Sequence, residues 1–583
     1  MSAGSGGLGI LIRNADSDAT FADLDLGTSG APLTSQALTL ELGNTGTYTF
    51  SDTQVFTSGA VGFHADNGGV VQVTGSGNRV STVNGIALRF QNGTTIGAGK
   101  ATFERIDAGG STRGIRLDNA GSGFNVTGVG TTDGSGGTIQ NVTARGIEVI
   151  DTDDVAFANL DLTDAATTNG ADPTDPNGTC GSLSLGQNLG CNAPIHLQNV
   201  NGATFDNVAV LRSAQVGING NSVTDFALRN SSVTDAGNEA NEFSLKFRDM
   251  LGTCEITDST VRRTISSGTE VDQVRLQNFS STPLDLTVTN SHFDTNAADG
   301  PTSAFENTGF IAVGHSSANM RLEIVDSFFQ NNKGPGLTAG VSDSASNATV
   351  DLIVDGGTFT NNNVGLEAIG NGVAATVTFD IDGAVVDDNP AAGINVDLNS
   401  SSGSGVVLRG HVRNNTVTHT GAGDCIQVNT RGAGDAIVAI TGNTLNESGF
   451  ERAIDVSTQE GSGDLDVVIT GNVLNMTGVN PLRAMNVNSG ADTGDSGTMC
   501  AKVGGATAAE KNTVNSISGG DTRVRVRRRE NTLVNLQGVP GPHPQTDQAT
   551  IEAYITSQNT GATGQATVGG GFGDATCQVS PFP

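Results

Sequence analysis

One short pattern recurs along the chain at nearly constant spacing. The segment "AITGNTLNESGFERAIDV" at 439–456 is followed by "VITGNVLNMTGVNPLRAMNV" at 468–487. Both combine an apolar strand-like stretch, Gly-Asn, a variable loop and a small–apolar–polar–apolar stretch. A unit of about 28 residues cannot bury its apolar face alone, and repeats of this kind become stable by stacking on their neighbours. The pattern therefore predicts a solenoid of short strands.

The small–apolar–polar–apolar stretch serves as a phase marker and predicts about seventeen coils. The markers begin at Gly9, Ala37, Gly62, Gly85, Gly114, Gly146, Pro194, Gly217, Phe243, Val274, Phe310, Gly336, Gly365, Gly393, Cys425, Ala453 and Ala484. A second alternating strand recurs between markers, as in "ATFDNVAV" and "VVITGNVL". Alternation places Ile, Val, Leu and Phe inside. The chain is therefore expected to be an all-β parallel β-helix.

Asparagine and glycine recur at the corners between strands, where positive φ angles are needed. Asn443, Asn472, Asn414 and Asn290 stand at positions that we take as equivalent. Stacked asparagines can form side-chain amide ladders along the solenoid axis. We interpret these corners as turn chemistry rather than ligand sites.

The net charge disfavours nucleic acid and anionic membranes as partners. The 29 Lys and Arg against 60 Asp and Glu give a net charge of −31, so the average field repels nucleic acid and anionic membranes. The chain has no apolar stretch long enough for a transmembrane helix, and its N-terminus lacks the basic and apolar regions of a signal peptide. We expect no nucleic-acid binding, no membrane insertion, and export as part of a longer precursor.

The coil length and the repeated "V-x-I-T-G-N-x-[LV]" and "[GA]-[IM]-[DN]-V" stretches resemble the right-handed parallel β-helix superfamily with the pectate-lyase-like fold. They resemble in particular the large bacterial secreted or surface β-helix repeat proteins. The resemblance covers about residues 9–535 and implies a right-handed helix. It also implies a terminal cap from "MCAKVGG" onward. Activity does not follow, because this fold carries lyases, hydrolases, tailspikes and adhesins alike.

Two segments interrupt the repeat. We predict a β-helix over 1–535 with an insertion loop at 163–192, and a C-terminal capping segment at 536–583. Cys180 and Cys191 are expected to close the insertion, and Cys500 and Cys577 to close the cap, which indicates an oxidising, extracellular or cell-surface location. Cys254 and Cys425 are expected to be core thiols.

The cap contains the one convincing helix, in "TDQATIEAYITSQNTG" at 546–561. Thr546 or Asp547 can cap its start, Ile551 and Ile555 share one face, and Gly561 follows its end. A helix laid over the last coil would cover an open sheet edge.

Carboxylates are the first candidates for a metal site. Asp172, Asp175 and Asn177 in the insertion could supply oxygen ligands to Ca²⁺. So could the corner groups Asp151, Asp153 and Asp154, and Asp387 and Asp388. None matches a calcium-loop motif, and the competing interpretation is that these are solvated acidic corners.

Catalysis is the weaker functional hypothesis. Paired carboxyls on neighbouring coils arise often by chance in a solenoid, so their spacing alone indicates little. The chain has no Trp and only two Tyr, whereas sugar-binding grooves commonly stack the sugar on such rings. We therefore assign no catalytic residue and expect a non-catalytic protein, with a polysaccharide lyase or glycoside hydrolase as the alternative.

The run "RVRVRRR" is the one basic cluster, with Arg523, Arg525, Arg527, Arg528 and Arg529. Alternation places Arg523, Arg525 and Arg527 on the solvent side, with the intervening valines inside. The cluster could bind an acidic surface on another molecule, or it could form ordinary surface ion pairs.

Together these features favour a secreted or cell-surface structural or adhesive β-helix that presents loops for attachment or assembly. A surface polysaccharide and self-association are the expected partners. A subunit of an extracellular filament or surface array remains an alternative.

Overall fold

The computed structural model describes residues 2–3, 9–170, 190–238, 242–263, 272–295, 308–400, 405–419, 421–447, 451–477, 483–490, 493–517 and 519–579. The chain is 61% strand and 2% helix, and the strand pairings given for the described residues are parallel apart from isolated bridges. The predicted fold class, an all-β right-handed parallel β-helix with a C-terminal helix, is confirmed. The chain forms two compact units, Met1–Leu276 and Gln277–Pro583.

The strands of the first unit, in chain order, are β1 (Ser2–Ala3), β2 (Ile10–Arg13), β3 (Ala19–Leu26), β4 (Leu38–Glu41), β5 (Thr47–Ser58), β6 (Phe63–Asp66), β7 (Val70–Thr74), β8 (Arg79–Val83), β9 (Leu88–Gln91), β10 (Thr95–Phe103), β11 (Arg105–Gly109), β12 (Arg113–Val126), β13 (Gly137–Gln140), β14 (Arg145–Ala158), β15 (Leu160–Thr163), β16 (Ala193–Asp206), β17 (Ala209–Ser213), β18 (Ile218–Arg229), β19 (Ser232–Ala236), β20 (Leu245–Thr257) and β21 (Thr260–Arg262). Strand β22 (Val274–Asn278) includes residues of both units.

The elements of the second unit are β23 (Leu284–Thr289), β24 (His292–Asp294), β25 (Phe310–Gly314), β26 (Asn319–Val325), β27 (Phe328–Gln330), β28 (Pro335–Val341), β29 (Thr349–Asp355), β30 (Thr358–Thr360), β31 (Val364–Gly370), β32 (Thr376–Asp382), β33 (Val385–Asp387), β34 (Ala392–Ser400), β35 (Val407–Arg413), β36 (Thr416–His419), β37 (Asp424–Gly432), β38 (Asp435–Thr441), β39 (Thr444–Glu447), β40 (Arg452–Gln459), β41 (Asp464–Thr470), β42 (Val473–Met476), β43 (Arg483–Ser489), β44 (Thr498–Val503), β45 (Asn512–Ser516), β46 (Arg523–Arg528), β47 (Leu533–Leu536), α1 (Gln548–Gln558), β48 (Asn559–Thr560) and β49 (Thr563–Val568).

Apolar residues of successive coils stack inside each unit. In the first unit, Ile115, Ile147, Ile195 and Ile218 are register partners on β12, β14, β16 and β18, and all are fully buried. In the second unit, the rings of Phe293, Phe329 and Phe359 stack at centroid distances of 5.1 and 4.9 Å. Removing such columns from water is the main stabilising contribution to a fold of this kind.

The phase markers are confirmed at most coils and displaced at four. One of the four is Val274, which belongs one residue earlier because the N–H of Leu245 donates to the carbonyl of Gln273. Register pairs Phe63 with Leu88, Ile218 with Leu245, and Phe310 with Leu337. The marker at Gly85 therefore belongs two residues later in the sequence, and the marker at Phe243 belongs one residue later. The marker at Phe310 belongs one residue earlier. Phe243 is itself buried. Its apolar side chain therefore did not show whether the marker begins at Phe243 or one residue later.

An asparagine ladder does run along one corner of the second unit, between the second and third strands of each coil. The Oδ1 atom of Asn443 accepts the backbone N–H of Asn415 at 2.9 Å, and Asn472 does the same for Asn443 at 2.9 Å. The ladder ends at Asn512 and Asn559, whose side chains are bonded at 2.9 Å. Our assignment of Asn414 and Asn290 to this ladder was wrong.

Asn414 precedes the ladder residue Asn415 and has a φ of 56°, and Asn290 has a φ of 46°. Each is the residue in the left-handed conformation that turns the corner. Asparagine tolerates that conformation better than most residues, so two adjacent asparagines perform different tasks.

The parallel pairing continues beyond residue 535, where we had placed the end of the β-helix. Strand β48 pairs with β45, and β49 pairs with β46. Helix α1 packs against β49. Asp547 caps the helix by accepting the N–H of Ala549, and Ile551 and Ile555 are buried. The capping segment is therefore built partly from the same ladder.

Candidate functional site: an arginine patch on the first strands of the last coils

Three neighbouring parallel strands, β40, β43 and β46, carry the site. Asp455 pairs in register with Asn486, and Asn486 pairs with Arg525. These residues alternate with the buried Val456, Val487 and others of the core, so their side chains project from the outer face. We name Arg452, Arg483, Arg525, Arg527 and Arg529 the arginine patch.

A continuous polar chain links four coils across this face. The N–H of Arg452 donates to Asp424 Oδ1 at 2.9 Å, and its Nη1 lies 3.1 Å from Asp455 Oδ2 and 3.8 Å from Asp424 Oδ1. Asn486 Nδ2 donates to Asp455 Oδ1 at 2.6 Å. Arg525 Nε donates to Asn486 Oδ1 at 2.8 Å. One coil supplies both Arg452 and Asp455, and each of the other three supplies one residue of this chain of contacts.

Burial alters the charge of one carboxyl group in this series of polar contacts. Burial raises the pKa of Asp424 to about 8, and the negative charge of Asp455 adds to this effect while Arg452 opposes it. Burial thus favours the neutral form of Asp424 and reduces the negative charge that it contributes. Asp455 and Glu451, whose carboxylate oxygens lie 3.1 and 3.4 Å from the Arg452 guanidinium, are left to offset the arginines.

The arginines in turn repel one another. Burial lowers the pKa of Arg525 to about 10, and the charges of Arg483, Arg452 and Arg529 lower it further. Burial and two arginine neighbours, Arg523 and Arg452, also lower the pKa of Arg483. The patch is an excess of positive charge on a chain whose net charge is −31.

The five arginines of the "RVRVRRR" run do not share one environment. Arg523 Nε binds Asp521 Oδ2 at 2.7 Å. Among the described residues, no carboxylate lies within ion-pair distance of Arg525, Arg527 or Arg529. The Nε of Arg527 is buried without a hydrogen-bond partner. Arg525, Arg527 and Arg529 therefore form the part of the predicted patch that has no carboxylate partner among the described residues.

Arg528 faces the other way and is structural. Its Nε donates to the carbonyl of Thr532 at 2.7 Å, and its Nη1 donates to the carbonyl of Gly571. Val524 and Val526 are fully buried, as strand alternation predicts. Arg528 thus ties the strand to the C-terminal segment and does not belong to the patch.

The predicted Cys500–Cys577 disulfide is present and packs against Val468. Cys254 and Cys425 are buried thiols. Cys191 is fully buried beside Ala193 and Val216. Its predicted partner Cys180 lies in 171–189, outside the described residues.

The predicted calcium ligands Asp172, Asp175 and Asn177 lie in the same segment, outside the described residues. Within the part of the chain that the structure describes, no group of three or more His, Cys, Asp or Glu is arranged to hold a metal ion. Asp151 and Asp153, at another acidic corner, accept hydrogen bonds from Asn199 and Asn201. No helix of the described part is long and apolar enough to cross a membrane.

Asp424, Arg452, Asp455 and Arg483 were not recognised from the sequence. The available signal was register: Asp455, Asn486 and Arg525 each occupy the third, polar position of the same repeated stretch, in "AIDV", "AMNV" and "RVRV". Aligning that position across coils would have placed them side by side.

No protein-family model matches the chain, and no curated protein is significantly similar to it. The geometry of the fold and of the patch therefore carries the functional argument.

Proposed function

We propose that this protein is a non-catalytic β-helix of the extracellular space or cell surface that attaches to an acidic partner through the arginine patch. The observation that carries the proposal is the group Arg525, Arg527 and Arg529, which has no carboxylate partner within the described residues. Guanidinium groups bind carboxylates through paired hydrogen bonds. An acidic partner would relieve the repulsion within the patch.

The Cys500–Cys577 disulfide supports the location, because disulfides persist mainly in oxidising compartments. The pectate-lyase-like resemblance supports the same reading, since many of the proteins it implies are secreted or displayed on cells.

Binding and turnover should be measured on the same samples. The protein is incubated with polygalacturonate and with a neutral polysaccharide, with and without Ca²⁺. We expect neither unsaturated products nor new reducing ends from either polymer. Salt-sensitive attachment to an immobilised acidic surface should be retained by wild type and lost in Arg527→Glu/Arg529→Glu. Polymer turnover, or attachment that ignores this substitution, would refute the proposal.

A carbohydrate-active enzyme is the second candidate, favoured by one observation. Asp424 and Asp455 flank the same Arg452 nitrogen at 3.8 and 3.1 Å, and burial raises the pKa of Asp424 to about 8. A protonated carboxyl beside a second carboxyl is the arrangement that acid–base hydrolysis of glycosides uses. Turnover that is lost in Asp424→Asn would support this candidate.

A further inference from the structure

A second charged surface of the same unit complements the arginine patch. It is a groove of about 420 Å³ on the outer face of β35, β38, β41 and β44, lined by Val407, Arg409, Asp435, Ile437, Asp464 and Asp466. We name it the acidic groove. Its strands are the second strands of their coils, whereas the arginine patch lies on first strands.

The carboxylates of the acidic groove are crowded. Asp435 and Asp464 are direct register partners on β38 and β41, and like charges that oppose each other across strands are destabilising. Burial and the charge of Asp464 raise the pKa of both Asp435 and Asp466. Among the described residues that line the groove, Arg409 is the one cation.

The carboxylates of the acidic groove accept a few hydrogen bonds from the protein itself. Asp464 Oδ1 accepts the N–H of Thr498 at 2.8 Å, and Asp466 Oδ2 accepts the N–H of Gln578 at 3.2 Å. Both bonds are to neutral backbone groups, which leave the negative charges uncompensated. The acidic groove thus carries an excess of negative charge, and the arginine patch carries an excess of positive charge.

We propose that the acidic groove of a second copy of this chain is the partner that the arginine patch binds. The proposal rests on the attachment function proposed above and names its partner. Arg527 and Arg529 would enter the groove beside Asp435 and Asp466, where each guanidinium can pair with a carboxylate.

The proposed contact joins two different surfaces, so it is heterologous. After one contact forms, the patch of one copy and the groove of the other remain available for further copies. Such contacts generate open chains of subunits unless the rotation closes a ring. The contact is electrostatic and should weaken when salt shortens the Debye length from about 14 Å near 50 mM to about 4 Å near 500 mM.

Charge reversal tests both surfaces at once. Light scattering after size exclusion gives the mass of wild type, of Arg527→Glu/Arg529→Glu and of Asp435→Lys/Asp466→Lys. Wild type should exceed the monomer mass at low salt, increasingly with concentration, and return to monomer at high salt. Each reversal variant alone should stay monomeric. A mixture of the two should associate, because each variant retains the native surface that the other needs.

A matched control and a folding control accompany these variants. Lys100→Glu/Arg212→Glu makes the same change in net charge as Arg527→Glu/Arg529→Glu, at exposed sites of the first unit, and should associate like wild type. Circular dichroism should be unchanged, and Asp435→Lys alone serves if the double groove variant fails to fold.

Monomeric wild type at low salt, or a mixture that fails to associate, overturns the proposal. If wild type is monomeric yet binds polygalacturonate through Arg527 and Arg529, the attachment function stands and only the second-copy partner is wrong.

Discussion

Arg525 on β46 donates from Nε to Oδ1 of Asn486 on β43 at 2.8 Å. The two residues are 39 positions apart in sequence, yet register makes them direct neighbours on adjacent coils. Asn486 also donates to Asp455 at 2.6 Å. One small amide therefore connects the unpaired arginines to the carboxylate that partly balances them.

Replacing Asn486 with Ala should destabilise the protein by about 1–3 kcal/mol, because Arg525 Nε and Asp455 Oδ1 each lose a partner at a largely buried site. Equilibrium unfolding in urea measures the loss. Asn515→Ala is the matched control, since Asn515 is exposed and donates to Asn475 at 2.8 Å; its effect should stay within about 0.5 kcal/mol. Equal effects of the two substitutions would contradict a role for burial.

Asn443→Ala should be more costly, at about 3 kcal/mol. The fully buried Asn443 side chain donates to Val412 O and Asn472 Oδ1, each at 2.9 Å, and accepts from Asn415. Asn446 lies on the same coil and is half-buried, so Asn446→Ala provides the comparison in the same urea titration. A cost for Asn443→Ala no larger than that of the control would show that the ladder does not stabilise the corner.

The sequence predicted features that depend on spacing within one coil and missed features that depend on exact register between coils. Inward Val524 and Val526 and the Asp547 cap follow from local alternation and capping rules. The ladder was expected, but Asn414 was mistaken for Asn415 because both are asparagines at one corner. The patch combined residues from coils about 30 positions apart, whose polar positions the apolar repeat does not constrain.

The Cys500–Cys577 disulfide closes a loop over a sequence separation of 77. In the chain-entropy description, opening a loop of this size costs about 4.5 kcal/mol of stability. Cys500→Ser/Cys577→Ser should therefore lower the urea midpoint of the oxidised protein. Adding a reductant to the double variant reports separately on the remaining cysteines. If reductant lowers the midpoint of the wild type no more than that of the variant, this disulfide does not stabilise the chain.

The free energy of unfolding should fall as pH rises, because the folded protein holds a proton on Asp424 that it loses at high pH. Burial raises the pKa of Asp424 in the folded protein to about 8, above its ordinary value in the unfolded chain, so the folded state holds a proton that the unfolded state releases. The contribution is fully present below the unfolded pKa and is lost as pH rises through 8. Its slope cannot exceed about 1.4 kcal/mol per pH unit.

Asp424→Asn isolates this contribution, because its amide oxygen can still accept the N–H of Arg452 but carries no titratable proton. The free energy of unfolding of wild type, minus that of Asp424→Asn, should decrease steadily from pH 5 to about pH 8 and level off above it. Glu367 and Asp397, whose pKa values are also raised by burial, are present in both proteins and cancel in the difference. Parallel pH profiles for the two proteins would show that Asp424 is ionised in the folded state, and Asp424 would then balance the arginine patch together with Asp455 and Glu451.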